Sequence, residues 1–196
     1  IVIECNCKLI FVFRKEYKMK NNLYNGNYKL NSKQEKIVFD YKRYIKACMI
    51  IAEDIKKKYD LKNGDIELIG MARGALPMLV TMSHFLGIRK VSVIQTQMSN
   101  SDECYDYGKF RYISDNIDKN KKKCILFEDI IYKGTTTEGV IKILKERKKD
   151  ILGVYALVID EGFKEIKDNE VEINYVYEVE KDKWVYFLWE TDINKI

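Results

Sequence analysis

Short apolar runs alternate with helix-like patterns through the middle of the chain, and this alternation limits the fold more than any other feature. The runs have the length of buried strands, and the segments between them repeat apolar positions at helical spacing. Strand and helix in this order favour a parallel sheet covered by helices on both faces, so an α/β protein is expected. The predicted strands are Ile66 to Met71, Val91 to Thr96, Cys124 to Phe127 and Gly153 to Ile159, and the predicted helices between them are Leu76 to Leu86 and Thr136 to Arg147.

An amphipathic helix is predicted over Asp40 to Tyr59, ahead of the first of these strands. Asp40 is a good N-cap residue, because its carboxylate can accept from a free backbone N–H of the first turn. The apolar residues that recur at three- and four-residue steps, and so share the expected buried face, are Tyr41, Ile45, Cys48, Ile51, Ala52, Ile55 and Tyr59.

The N-terminal part of the chain is less regular. Residues 1–39 are interpreted as an extension that is partly loop. Three interpretations of its first 18 residues stay open: a leading strand at Leu9 to Phe13, a truncated targeting segment, or sequence upstream of a natural start at Met19. Asn21 to Asn31 is rich in Asn and Gly and is predicted to be a loop. Residues 40–196 form the predicted domain, whose last part begins at about residue 160.

Two further segments carry expectations. Met98 to Asn116 is polar and long for a connection inside a compact domain, so it is predicted to be a mobile lid over a site, with a short strand at Phe110 to Ile113. Ile173 to Val179 and Trp184 to Leu188 are predicted to finish the chain as an antiparallel flap.

The composition indicates one globular domain in a reducing cytosol. A chain of 196 residues can bury one core, and its net charge of +5 is spread along the sequence, which argues against nucleic acid as a partner. No apolar run is long enough to cross a bilayer. The 5 cysteines are odd in number and lack paired spacing, which argues against a zinc site or a disulfide framework. His84, the only histidine, falls in a helical pattern, so a histidine base is disfavoured.

The segment from Cys124 to Thr137 carries the strongest chemical signal. An apolar strand ends in two adjacent acids, Glu128 and Asp129, and a loop containing Gly134 then opens a helix. In a parallel sheet this loop lies at the carboxyl edge, where the free N–H groups of the helix start favour a phosphate. The acids could accept from a sugar diol or from water around Mg²⁺. The hydroxyls that would add donors to the phosphate site are those of Thr135, Thr136 and Thr137.

The spacing of this segment differs from that of a P-loop, which ends in Gly-Lys followed by Ser or Thr. An acid pair ahead of a phosphate cradle suggests instead a ligand with hydroxyls beside a phosphate, such as a ribose 5-phosphate. An Asp and a Thr at a strand–helix junction are also common helix caps, so the residue types alone leave a structural role open.

The segment resembles the signature of type I phosphoribosyltransferases, particularly the 6-oxopurine enzymes, in which an apolar strand leads to Glu-Asp-Ile-Ile-Asp-Thr-Gly-x-Thr. The resemblance implies a central parallel sheet flanked by helices with a small C-terminal hood. It also implies binding of phosphoribosyl pyrophosphate (PRPP), Mg²⁺ as the cofactor, and a homo-oligomer. The matching residues are Glu128, Asp129, Ile130, Ile131, Gly134 and Thr136.

Ile69 to Pro77 extends the resemblance upstream, since it is similar to the pyrophosphate loop of that family. The likeness implies a cis peptide between Arg73 and Gly74, with backbone N–H groups that face pyrophosphate. Lys133, in the phosphate cradle, is by the same likeness a candidate partner for the 5-phosphate or for pyrophosphate.

Lys183 to Glu190 is similar to the family's hood. By this resemblance Trp184 stacks on the base and the Val185 backbone reads the base edge. Glu190 would be the acid that approaches Mg²⁺-bound pyrophosphate, so Glu190 and Asp129 are the candidate metal ligands.

Two departures from the family pattern lie on the base side of the expected site. Tyr132 stands where the family has an acid that faces the purine N7, and Asp160 stands where it has a lysine that donates to the 6-oxo group. A tyrosine hydroxyl is a poor proton acceptor near neutral pH. A carboxylate would repel a carbonyl oxygen and accept from an exocyclic amine. The PRPP half of the pattern is kept, and the oxopurine half is changed.

The expected activity is Mg²⁺-dependent transfer of a 5-phosphoribosyl group from PRPP to a nucleobase, purine-like but not necessarily a 6-oxopurine, with release of pyrophosphate and a role in nucleotide salvage. Two alternatives stay open. One is a non-catalytic protein of the same fold that senses PRPP or a nucleotide, or binds RNA. The other is a hydrolase that releases ribose phosphate to water. The candidate catalytic residues are Asp129, Glu128, Arg73 and Tyr132.

Overall fold

The part of the chain that the computed structural model describes comprises residues 25–30, 36–62, 64–98, 109–120, 122–163, 170–181 and 183–190. The predicted leading strand at Leu9 to Phe13 lies outside these ranges, and so do residues 99–108 of the predicted lid. None of the helices in the described ranges is long and apolar enough to cross a membrane.

Nine strands and three helices make up the described regular structure. In chain order the strands are β1 (Asn25–Leu30), β2 (Lys36–Phe39), β3 (Ile66–Ala72), β4 (Val91–Gln97), β5 (Arg111–Asp115), β6 (Lys123–Ile131), β7 (Asp150–Asp160), β8 (Ile173–Val179) and β9 (Trp184–Phe187). The helices are α1 (Tyr41–Lys58), α2 (Leu76–Leu86) and α3 (Thr135–Glu146).

Seven of these strands form one sheet in the order β1-β8-β7-β6-β3-β4-β5. All neighbouring strands pair in parallel except β4 and β5, which are antiparallel. Alternate residues of β6 enter two cores: Phe127 packs with α1 and α2 on one face, and Leu126 packs with α3 on the other. Strands buried on both faces read as continuous apolar runs, which is why the sequence pattern was informative. The expected α/β fold with helices on both faces is confirmed.

The helix ends follow the predicted signals. Asp40 caps α1, because its Oδ1 accepts from the Arg43 backbone N–H at 2.8 Å. Gly87 ends α2 in the left-handed region, with φ 69°. One member of the predicted buried face of α1 is wrong: Tyr41 is 66% exposed. Tyr41 is the first residue of α1, and its ring lies beside that of Tyr44 with centroids 6.4 Å apart. The sheet covers the later turns of α1 but does not cover this one.

The predicted loop at Asn21 to Asn31 is wrong for residues 25–30, which form β1. This strand pairs in parallel with β8 at the end of the large sheet. Asn and Gly have low strand propensity, but the edge of β8 supplies hydrogen-bond partners along one side of this backbone, and such tertiary context overrides a local preference.

The predicted antiparallel flap at the C-terminus is also wrong. β8 joins the large sheet in parallel beside β7, and β9 pairs in parallel with β2 in a separate two-stranded sheet. Closeness in sequence suggested a hairpin, whereas the partner of β9 comes from residues 36–39, near the other end of the chain. The predicted strand at Phe110 to Ile113 is confirmed as β5, shifted toward the C-terminus.

Parallel pairing brings several strand ends to one edge of the sheet, the edge where α/β proteins bind ligands. β3 ends just before Arg73, β6 ends just before Tyr132, and β7 ends at Asp160. β4 ends at Gln97, so the segment predicted to be a lid leaves from this same edge.

Candidate active site

The candidate phosphate cradle is the loop between β6 and α3. Gly134 is the N-cap of α3 with φ 77°, a backbone conformation that glycine adopts without steric cost. Within the described residues no side chain caps this helix start, so its backbone N–H groups are available to an anion. Lys133 and Thr135 are exposed beside the cradle, and Thr136 is half-buried.

Thr137 differs from the two threonines before it. Its side chain is fully buried, and its hydroxyl donates to Glu128 Oε2. The prediction that this hydroxyl adds a donor to the phosphate site therefore has no support, since the group is directed into the protein. What the contact does is tie the first turn of α3 to the end of β6. The residue types alone did not reveal it.

The acid pair lies inside β6 rather than after it, because the strand continues to Ile131. Burial raises the pKa of Glu128 from 4.5 to about 8, and the charge of Asp129 adds to this, while the hydrogen bond from Thr137 opposes it. Burial also raises the pKa of Asp129, from 3.8 to about 6; the backbone N–H of Ile130 opposes this shift and the charge of Glu190 adds to it. A bound cation or hydroxyl donor would therefore stabilise the ionised form of both carboxyl groups.

Stability of the ligand-free protein is expected to fall as the pH rises. Between about pH 4.5 and about pH 8 the folded Glu128 keeps a proton that the unfolded chain releases, so rising pH favours unfolding. Asp129 contributes in the same direction between pH 3.8 and about pH 6. Melting temperatures across this range, with divalent metal removed, test the expectation. Glu128→Gln keeps an acceptor for Thr137 and cannot ionise, so a slope as steep in that variant as in the parent protein would contradict it.

The loop after β3 touches the acid pair directly. A Cβ built on Gly74 would stand well inside 3.0 Å of Asp129 Oδ2, and even the more distant Oδ1 would be 2.6 Å away. Only glycine leaves room for the carboxylate at this point. The cis peptide was predicted one bond too late: it joins Ala72 to Arg73. The family resemblance identified the correct loop, and the backbone geometry shows which peptide bond in that loop is cis.

Glu190 belongs to the same group of charges. Its Oε2 accepts from the Phe187 backbone N–H at 3.0 Å, which holds the side chain at the end of β9. Burial raises the pKa of Glu190, while this hydrogen bond and the charge of Arg73 lower it. The structure thus brings Arg73, Asp129 and Glu190 together from three separate segments.

The donor set suits Mg²⁺ better than a metal held wholly by protein. Among the residues that the structure describes, no three His, Cys, Asp or Glu side chains gather as a metal cluster. Mg²⁺ usually keeps several waters and takes only one or two carboxylates together with substrate phosphates. Asp129 and Glu190 are close enough for the charge of Glu190 to raise the pKa of Asp129, and a cation beside them would relieve that repulsion.

Tyr132 and Trp184, which the sequence analysis assigns to the base side of the expected site, have stacked rings. Their ring centroids are 6.3 Å apart and their planes differ by 21°. Val185, next to Trp184, is buried at 2% exposure within the β2–β9 pair. The structure thus brings together the residue that departs from the family pattern and the residue expected to stack on the base.

Asp160 has a turn-forming role that the sequence did not indicate. Its carboxylate Oδ1 accepts from the Gly162 backbone N–H at 2.7 Å, and its backbone carbonyl accepts from Phe163 N–H at 2.8 Å. The side chain is 8% exposed. A short polar side chain that bonds two residues ahead is a common way to close a turn after a strand. A contact between Asp160 and a base stays a prediction.

A contact between Phe110, near the end of the predicted lid, and Gly139 of α3 was missed by the sequence analysis. A Cβ on Gly139 would stand 2.7 Å from the ring of Phe110, so this ring occupies the space above the glycine. A glycine inside an otherwise helical pattern often has such a packing reason, and that was the available signal.

The parallel sheet and the two loops that meet at its carboxyl edge define a type I phosphoribosyltransferase fold. The chain belongs to the phosphoribosyl transferase domain family, whose profile matches residues 35–195. It is 30% identical over 169 residues to orotate phosphoribosyltransferase of Pyrococcus horikoshii, which covers 78% of this chain and 87% of that protein. It is 25% identical over 122 residues to the transcriptional regulator GfcR of Methanocella arvoryzae, covering 59% of this chain and 56% of that protein.

Solved structures show the same fold. Purine phosphoribosyltransferase from Pyrococcus horikoshii matches with a TM-score of 0.62 at 24% identity, covering 81% of this chain and 96% of that chain. A Neisseria gonorrhoeae protein with bound ppGpp matches with a TM-score of 0.65 at 20% identity, covering 84% and 95%. The Helicobacter pylori xanthine-guanine-hypoxanthine phosphoribosyltransferase matches with a TM-score of 0.60 at 18% identity, covering 82% and 97%. Because all three identities are below 25%, these matches are evidence for a shared fold only.

Proposed function

We propose that this protein transfers a 5-phosphoribosyl group from PRPP to a nucleobase and releases pyrophosphate. The observation that carries the proposal is the contact between Gly74 and Asp129, with Arg73 and Glu190 beside it. A loop suited to pyrophosphate and an acid suited to a ribose diol meet at one point, next to a helix start suited to a 5-phosphate. PRPP carries these three groups in one molecule.

The residues would act mainly by position and charge. The start of α3 would hold the 5-phosphate, and Glu128 and Asp129 would accept from the ribose hydroxyls. Positive charge grows at C1 of the ribose as pyrophosphate departs, and Arg73 with the backbone N–H groups of its loop would stabilise the leaving anion. Asp129 and Glu190 would hold Mg²⁺, which neutralises charge on the pyrophosphate when bound. Closure of the segment 98–116 over the site, which would exclude water, remains part of the proposal.

For the acceptor we propose a class of nucleobase and not one particular base. The relatives include an orotate enzyme and the structural matches include purine enzymes, so family membership alone does not choose between pyrimidine and purine. Tyr132 and Asp160 replace the two residues that read a 6-oxopurine in the family pattern. We therefore propose a planar nucleobase, purine-like and not restricted to 6-oxopurines. By family likeness we also propose a homo-oligomer in the cytoplasm with a role in nucleotide salvage.

Pyrophosphate release from PRPP and Mg²⁺, measured against a panel of purine and pyrimidine bases with a no-base control, tests the proposal. Release that depends on one base and is lost in Asp129→Asn is the expected result, because the amide cannot supply the negative charge. Asp150→Asn is the matched control, since Asp150 is exposed at the start of β7, on the opposite edge of the sheet. Release in the absence of any base would point to the hydrolase, and equal rates in the two variants would contradict the assignment.

A nucleotide sensor of the same fold is the second candidate. One relative is a transcriptional regulator, and one structural match was solved with bound ppGpp. Both base-side departures would suit a protein that binds without turnover. Binding of PRPP or a nucleotide, with no pyrophosphate release from any base in the panel, would favour the sensor. Salt-sensitive binding to RNA would favour its RNA-binding form.

A further inference from the structure

Tyr132 and Trp184 reach the base side of the site from two independent supports. Tyr132 follows Ile131, which ends β6 at 1% exposure, and precedes the Gly134 cap of α3. Trp184 opens β9, where its backbone is opposite Lys36 and its neighbour Val185 is buried. Neither ring depends on the other for its place in the fold. Both residues are half-buried, so part of each stays accessible to solvent.

The two ring planes are close to parallel, which is the orientation that a planar ligand between them needs. Aromatic surfaces pack at about 3.5 Å, so a flat ring between two parallel faces requires about 7 Å. The centroids are 6.3 Å apart with planes 21° from parallel. A base therefore enters only if the two faces stand about 7 Å apart, and rotation of the tyrosine side chain is the movement that would open this space.

We propose that Tyr132 and Trp184 form a two-sided aromatic slot for a planar base, which makes Tyr132 a residue that determines specificity. This inference rests on the proposed function and deepens it. Stacking uses the π face that every base has and requires no proton acceptor on the protein. A tyrosine at the position of the family's acid thus replaces recognition of one base edge by recognition of a flat surface. Purines, with two fused rings, cover more of both faces than pyrimidines, so the slot favours purines.

The competing explanation is that Tyr132 only covers Trp184 while the site is empty and leaves when a base enters. The two explanations predict opposite changes in base affinity when the tyrosine ring is removed. Removing the tyrosine ring weakens base binding if the ring stacks on the base. It strengthens base binding if the ring competes with the base for Trp184.

The experiment measures the affinity of ribose 5-phosphate and of the 5′-monophosphates of adenosine, guanosine and uridine, by calorimetry in the presence of Mg²⁺. The ratio of nucleotide to ribose 5-phosphate affinity isolates the contribution of the base. Tyr132→Ala is expected to lower this ratio about tenfold for the purines and less for uridine, with ribose 5-phosphate affinity unchanged. Tyr132→Leu, which keeps bulk near Trp184, is expected to lower it as well, and Tyr132→Phe to preserve it.

Tyr41→Ala is the control, since Tyr41 is an exposed tyrosine on α1 and should leave every affinity unchanged. An unchanged or raised ratio in Tyr132→Ala and Tyr132→Leu would overturn the slot while the proposed transferase stands. If the parent protein bound neither PRPP nor ribose 5-phosphate, the proposed function itself would fail, and the slot would fail with it.

Discussion

Replacing Gly74 by alanine is expected to lower base-dependent pyrophosphate release about a hundredfold. The added Cβ would overlap the carboxylate of Asp129, with Oδ1 at 2.6 Å and Oδ2 closer still. Either the Asp129 carboxylate rotates away from its present position or the loop moves, and the loop is held by Ala75, which is fully buried at the start of α2. The loop and the acid must therefore separate, and a displacement of about 1 Å in a positioning group costs about a hundredfold in rate.

The effect of Gly74→Ala is one of space, since the φ of Gly74 lies outside the left-handed region that favours glycine. Steady-state kcat/KM for the acceptor base measures it, and the melting temperature checks that the fold is retained. Gly153→Ala is the matched control, because its nearest atoms would be side-chain atoms 3.2 Å away, near the start of β7 and far from the acids. A Gly74→Ala protein as active as this control would show that the loop and Asp129 are not in contact during turnover.

Replacing Lys149 by methionine is expected to lower the free energy of unfolding by about 3 to 5 kcal/mol. Lys149 Nζ lies 3.0 Å from Glu67 Oε2, and the two side chains are 3% and 0% exposed. The other carboxylate oxygen accepts from the Asp118 backbone N–H at 2.9 Å and from the Ser92 hydroxyl. Without the lysine, a buried carboxylate loses the cation that compensates its charge, and this is among the most costly changes a core can suffer.

Urea unfolding of four variants, which are Lys149→Met, Lys148→Met, Glu67→Gln and the double variant of the buried pair, separates this ion pair from a simple loss of surface charge. Lys148→Met, at the exposed neighbour, should change stability by under about 0.5 kcal/mol. In the double variant Glu67→Gln with Lys149→Met, the free energy of unfolding should fall by less than the sum of the decreases in the two single variants, because no charge is then left unpaired. A loss under about 1 kcal/mol in Lys149→Met would contradict the buried pairing. The pair lies at the amino edge of the sheet, so pyrophosphate release at low temperature should be unchanged.

The elements that depend on local pattern could be predicted from the sequence. The buried turns of α1 and the Asp40 cap follow from apolar spacing and from a residue type that binds its own helix start. The strand that carries Glu128 and Asp129 was recognisable because a parallel strand is covered on both faces and reads as one apolar run. Arg73, Asp129 and Glu190 were named as candidate site residues through family likeness, which carries information about the whole fold in a short motif.

Only the tertiary structure decided which strands pair and which side chains form buried hydrogen bonds, because these partners are distant in sequence. The residues of β1 look like loop and become strand because β8 offers a free edge, and β9 pairs with β2 instead of its neighbour β8. Thr137 turns inward to Glu128, and Asp160 closes its own turn. Spacing along the chain sets which face a side chain occupies, but strand partners and buried hydrogen bonds are set by contacts between segments that no local pattern encodes.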